Sequence, residues 1–144
     1  MTARLYFEDV KAGDLLPAWS RTTDLMNWNR FAAVNDEFMP FHMDDADGRR
    51  AGNPGGAFGM GNLRFAYILN ALQDWIGDEA EVREIGCQYR KMNQKGDTLT
   101  VSGRVLAAEL VGDEGRVRLA VDVVDQDGAA TCPGHAVVIL PRRK

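Results

Sequence analysis

The stretch from Ala57 to Ile76 constrains this chain more than any other. Phe58, Leu63, Phe65, Ala66, Ile68, Leu69, Leu72, Trp75 and Ile76 cover more than one face of a helix, and Gly77 supplies a stop. A helix that is apolar over most of its circumference has to be surrounded by something. At ~1.5 Å per residue it would reach about 30 Å, the thickness of a bilayer core. Asn62, Arg64, Asn70, Gln73 and Asp74 interrupt it, however, and make membrane insertion costly. The spacing therefore predicts a core helix over residues 57–76 and no association with a membrane.

Everything after Gly77 is strand-like. Ile85, Cys87 and Tyr89 alternate with polar neighbours, as do Leu99, Val101 and Val105. Val117, Leu119, Val121 and Val123 form the cleanest period-two run, and Ala136 to Leu140 is apolar throughout. Turn signals separate these segments at Lys95-Gly96-Asp97, Gly112 to Gly115 and Asp125 to Gly128. Four consecutive strands after one buried helix predict an α+β fold, an antiparallel sheet wrapped around that helix. Ahead of the long helix, Thr22-Thr23-Asp24 offer N-caps for a first helix over Leu25 to Val34, and Pro40 to Pro54 reads as loop and short turns.

A length of 144 residues suits one domain spanning positions 1–144. A net charge of −4 gives no basic surface of the kind that tracks nucleic acid. Cys87 and Cys132 are too few for a disulfide framework and read as small buried hydrophobes. The residues from Met1 onward do not resemble a signal peptide, so the cytoplasm is the expected location.

The chemistry-bearing segment is Asp36-Glu37-Phe38-Met39-Pro40-Phe41-His42-Met43-Asp44. It sets a carboxylate five residues before His42, one of only 2 histidines. A glycine-rich run, Gly55 to Gly61, then leads into the long helix, whose first N–H groups are free to polarise a carbonyl. Each residue also has a plainer reading. Glu37 and Asp36 suit solvated loop acids, His42 a hydrogen-bonded structural histidine, His135 a core or interface residue, and Asp44 a cap for the next turn. Arg64, Arg90 and Lys91 suit surface charges more simply than contacts to the phosphates of a ligand.

The order and spacing of these segments resemble the MaoC-like dehydratase family of single hot-dog domains, from about Tyr6 to Pro141. Tyr6 to Asp14 is similar to the family's opening segment, and Lys95-Gly96-Asp97-Thr98-Leu99 to its Gly-Asp-Thr-Leu strand start. Val137-Val138-Ile139-Leu140-Pro141 is similar to its final strand. Phe31-Ala32-Ala33-Val34 leads into the segment resembling the family's hydratase motif, which runs Asp, any residue, Asn, Pro, an aliphatic residue, His. The resemblance implies a strongly curved antiparallel sheet around a long central helix, with two such domains pairing edge to edge. It implies hydration or dehydration of a 2-enoyl group carried on coenzyme A or acyl carrier protein.

On the same resemblance, Pro40-Phe41-His42 carries the catalytic histidine. Counting back without a gap puts Glu37 where the family has aspartate; an inserted residue would give Asp36 that role. Met39 stands where the family has asparagine. Gly59 matches the glycine of a His-Gly pair in which Phe58 replaces the histidine, so its N–H is the expected oxyanion donor. No metal or redox cofactor is required. The partners implied are an acyl-CoA or acyl-carrier thioester and a second copy of the chain. The departures at Glu37 and Met39 feed an alternative, a half-active or non-catalytic subunit completed by a different MaoC-like chain, as in some relatives in steroid side-chain breakdown. An acyl-CoA thioesterase is the third possibility.

Overall fold

In the computed structural model, residues 4–144 are described; the first three, where the expectation of no signal peptide begins, lie outside the described residues. A strand β1 (Trp19–Thr22) precedes helix α1 (Leu25–Asn35). Asp24 caps this helix reciprocally: its Oδ1 accepts from the Asn27 N–H at 3.0 Å, and its own N–H donates to Asn27 Oδ1 at 3.0 Å. The helix ends at Asp36, which adopts a left-handed conformation (φ 54°).

The expected loop from Pro40 to Pro54 instead contains two short helices, α2 (Pro40–Met43) and α3 (Asp45–Arg50). Pro40 occupies the first turn of α2, where its missing N–H costs nothing. Asp44 caps α3, accepting from the Asp47 N–H at 3.0 Å. The breakers in this segment therefore act as helix punctuation rather than as irregular turns.

The long helix α4 spans Gly61–Ile76 and starts later than its apolar pattern predicts. The backbone N–H groups just ahead of it are taken by distant partners instead of preceding carbonyls. Ala57 donates to Asp45 Oδ1 (3.0 Å), Phe58 to the Phe41 carbonyl (3.4 Å) and Gly59 to the Asn93 carbonyl (2.9 Å).

Strands β2 (Glu81–Cys87), β3 (Thr98–Val111), β4 (Glu114–Val124) and β5 (Gly134–Leu140) join β1 in one sheet of order β1-β3-β4-β5-β2. Every neighbouring pair is antiparallel, and register shifts at Val82/Glu84 and Val105/Ala107 bend the strands. The period-two run behaves as read: Val117, Leu119, Val121 and Val123 are buried while Arg118 and Ala120 face out. Against this face α4 packs Tyr67, Ile68, Ala71, Leu72 and Ile76. Fully burying each large aliphatic side chain contributes about 1.5–3 kcal/mol, so this helix–sheet contact dominates the stability. A smaller cluster of Trp28, Ala32, Ala57 and Met60 joins α1 to the approach to α4. Leu63, Phe65, Ala66 and Leu69 remain only half-buried. The helix is thus wrapped by the sheet on one side and left partly open on another. Among the described residues no helix is long and apolar enough to cross a membrane.

Candidate active site

His42 lies in α2 and is buried, with 6% of its surface exposed. Its Nδ1 is 2.7 Å from the Phe58 carbonyl oxygen. A carbonyl only accepts, so Nδ1 carries the proton, and the neutral ring keeps Nε2 as its basic nitrogen. Two phenyl rings hold the imidazole in place. Phe41 and Phe58 stack on each other (5.5 Å, 9°), and His42 meets Phe58 edge-on at 5.1 Å. Burial lowers the pKa of the imidazole below its ordinary value. The Phe58 carbonyl and the Glu37 charge oppose that shift, and the Arg64 charge adds to it.

His42 lines a cavity of about 310 Å³ with Phe58, Gly59, Gly61, Arg64 and Tyr89. The start of α4 borders the same space, and Met60 at its N-cap supplies no side-chain acceptor. The N–H groups of Gly61, Asn62 and Leu63 are therefore unpaired donors with the positive end of the helix dipole behind them. Gly61 lacks the Cβ that would run into the Tyr89 ring, so that ring packs directly over the helix start.

The expectation for Gly59 needs correcting. Its N–H is already bonded to the Asn93 carbonyl, and it stands outside the helix, so the free N–H groups at the helix start are those of Gly61, Asn62 and Leu63. The glycine itself is still required for close packing. A Cβ there would collide with the side chain of Asn93, which is 2% exposed. Gly59→Ala is therefore expected to cost about 1–3 kcal/mol, read as a melting temperature lowered by several degrees.

The two candidate acids differ in their surroundings. Glu37 is half-buried, and its Oε2 accepts from Asn62 Nδ2 at 3.2 Å. Asn62 Oδ1 in turn accepts from the Tyr89 hydroxyl at 2.9 Å. Burial raises the Tyr89 phenol to about 12, so it stays protonated and donating. Glu37 and Asn62 line a second, more open groove of about 810 Å³ with Phe31, Phe38, Met39, Phe65 and Leu69. Asn62 thus stands between the Glu37 groove and the His42 cavity. Asp36 borders the same groove as Glu37 but is exposed, and it ends α1. Glu37 and His42 reach the same helix start from two sides.

Sequence reasoning missed Asn62 and Tyr89. The signal for Asn62 is a polar residue in the first turn of a largely apolar helix, and Tyr89 gives none. Arg64, read as a surface charge, is in fact buried at 4% exposure. Its Nη1 donates to the carbonyls of Lys91 (2.6 Å) and Thr131 (3.0 Å). Lys91 is engaged with Asp125 at 2.5 Å. His135 is not a core residue: its side chain is 57% exposed and meets Glu84 at 2.7 Å across β2 and β5. Asp44 caps α3, as its position suggests.

No family model matches the chain, and no curated protein matches it. Solved structures do. The (R)-hydratase PhaJ1 from Pseudomonas aeruginosa, in its unliganded form, superposes with a TM-score of 0.83 at 23% identity, over 97% of this chain and 88% of that one. The MaoC-like dehydratase from Rhodospirillum rubrum gives 0.81 at 23% identity, over 97% and 99%. A chain of the ChsH1-ChsH2 complex from Mycobacterium tuberculosis gives 0.79 at 20%, over 90% and 97%. The chain therefore has the hot-dog fold shared by (R)-hydratases and MaoC-like dehydratases: a curved antiparallel sheet around a central helix.

Proposed function

We propose that the chain is a MaoC-like enoyl-thioester hydratase or dehydratase, adding water to, or removing it from, the 2,3-bond of an acyl group on coenzyme A or an acyl carrier protein. The observation that carries this reading is a buried, tautomer-locked His42 sharing one cavity with an uncapped helix start. In hydration, the thioester oxygen takes up charge against the N–H groups of Gly61, Asn62 and Leu63. One such donor is typically worth about 10²–10³ in rate. Water gives its hydroxyl to carbon 3 and its proton to Nε2 of His42, and the imidazolium so formed hands a proton on to carbon 2. The carboxylate of Glu37 orients the water and balances the transient positive charge. The reaction needs no metal or redox cofactor. The apolar groove beside Phe31, Phe65 and Leu69 meets the same helix start at Asn62. A second copy of the chain, covering the half-buried stripe of α4, would close that groove.

The test is loss of the conjugated-thioester absorbance when the protein is mixed with crotonyl-CoA and longer enoyl-CoAs. Because burial lowers the pKa of His42, its basic form persists to lower pH than in a free imidazole. The acid limb of kcat/KM is therefore expected to have its midpoint below about 6.5, the ordinary histidine value. A midpoint above that value would contradict a buried, neutral base. Release of free thiol in step with the loss of absorbance would indicate a thioesterase instead.

A second reading, a subunit completed by a different MaoC-like chain, is favoured by one observation. Glu37 borders the open groove rather than the cavity that holds His42. Silence of the purified chain, with hydration appearing only after a second MaoC-like chain is added, would select it.

A further inference from the structure

The guanidinium of Arg64 has no counter-ion. Among the described residues no carboxylate lies within the 4.0 Å that defines an ion pair with it, and its acceptors are two backbone carbonyls. Its Nε is buried without a partner. The Tyr89 ring at 5.4 Å gives it a cation–π contact only. Asp122 on β4 acts on the Arg64 charge only from beyond ion-pair distance and accepts from the Cys132 N–H at 3.0 Å. A buried cation without an anion is costly to maintain. Arg64 also lines the His42 cavity, and the uncapped start of α4 opens into the same space. Two independent sources of positive potential, a helix N-terminus and a full charge, therefore converge on one small volume.

We infer that this cavity binds an acyl thioester whose acyl group itself carries a carboxylate, and that Arg64 receives that carboxylate. This inference rests on the proposed hydratase reading and adds the substrate class. The phosphates of coenzyme A also carry negative charge, but the reacting carbons must lie beside His42. A cavity of about 310 Å³ holding His42 has room for the acyl portion and not for a nucleotide as well. The thioester oxygen is served by the α4 N–H groups, and with Nη1 of Arg64 taken by two carbonyls and its Nε enclosed, Nη2 is left for an oxygen of a second, fully charged group. The permanent charge of the guanidinium strengthens such a bond.

The test compares two unreactive thioesters with four-carbon acyl groups, succinyl-CoA and butyryl-CoA, by calorimetric titration of the full chain. The expected result is at least about tenfold tighter binding of succinyl-CoA, the size of one charge-assisted hydrogen bond. In Arg64→Gln the ratio should fall to below about twofold. In Arg90→Gln, which changes an exposed charge on the same rim, it should persist. Equal affinities in the wild type, failure to bind either thioester, or a preference that survives in a folded Arg64→Gln would each overturn the inference. Should Arg64→Gln fail to fold, the wild type and Arg90→Gln decide: a preference kept in both supports the site, and one lost in Arg90→Gln refutes it. Crotonyl-CoA hydration without any charge preference would sink this inference and leave the hydratase reading standing. A charge preference with no hydration of any enoyl-CoA would do the reverse.

Discussion

Replacing His42 with alanine is expected to lower kcat/KM for enoyl-CoA hydration by roughly 10²–10⁴, the usual contribution of a positioned acid–base group. The same change removes the partner of a buried carbonyl, that of Phe58, and should cost about 1–3 kcal/mol of stability. Activity and folding would then fall together and obscure each other. His42→Asn separates them. An asparagine carboxamide can present an N–H near the position of Nδ1, keeping the Phe58 bond while offering no basic nitrogen in place of Nε2. Its melting temperature should stay close to that of the wild type while its turnover falls as far as that of the alanine variant. Wild-type rates in either variant would remove His42 from the chemistry.

The second large effect distinguishes the two neighbouring acids. Glu37→Gln should lower kcat/KM by about 10² or more, because it removes a charge and a proton acceptor beside the helix start. It also leaves a side-chain oxygen to accept from Asn62, so the local structure should hold. Asp36→Asn should stay within about twofold of the wild type. Asparagine tolerates the left-handed conformation that Asp36 adopts (φ 54°), and among the described residues the hydrogen-bond partners of His42 and Asn62 are Phe58, Glu37 and Tyr89, not Asp36. Steady-state rates with crotonyl-CoA, measured side by side with thermal melts, make the comparison. The opposite ranking would transfer the acid role to Asp36.

Most of the frame was legible because it rests on short-range repetition. Alternation at Val117, Leu119, Val121 and Val123 needs only a strand with one buried face, and it found one. Asp24 ahead of Leu25 is a local cap, and its bonds lie within three residues. The apolar surface of α4 likewise announced a core helix. The segment from Pro40 to Pro54 reads as loop yet folds into two short helices, because proline and aspartate punctuate short helices as readily as turns.

What the sequence by itself determined is the α+β frame and the candidacy of His42, Glu37 and Asp36, since periodicity, caps and residue chemistry act over a few positions. Only the tertiary structure decided where α4 begins, which of its N–H groups remain free among the described residues, and that Arg64 is buried against two carbonyls. The physical reason is the same in each case. The partners that claim Ala57, Phe58 and Gly59 are Asp45, Phe41 and Asn93, and those that hold Arg64 are the carbonyls of Lys91 and Thr131. Hydrogen bonds between segments so far apart along the chain leave no trace in local spacing.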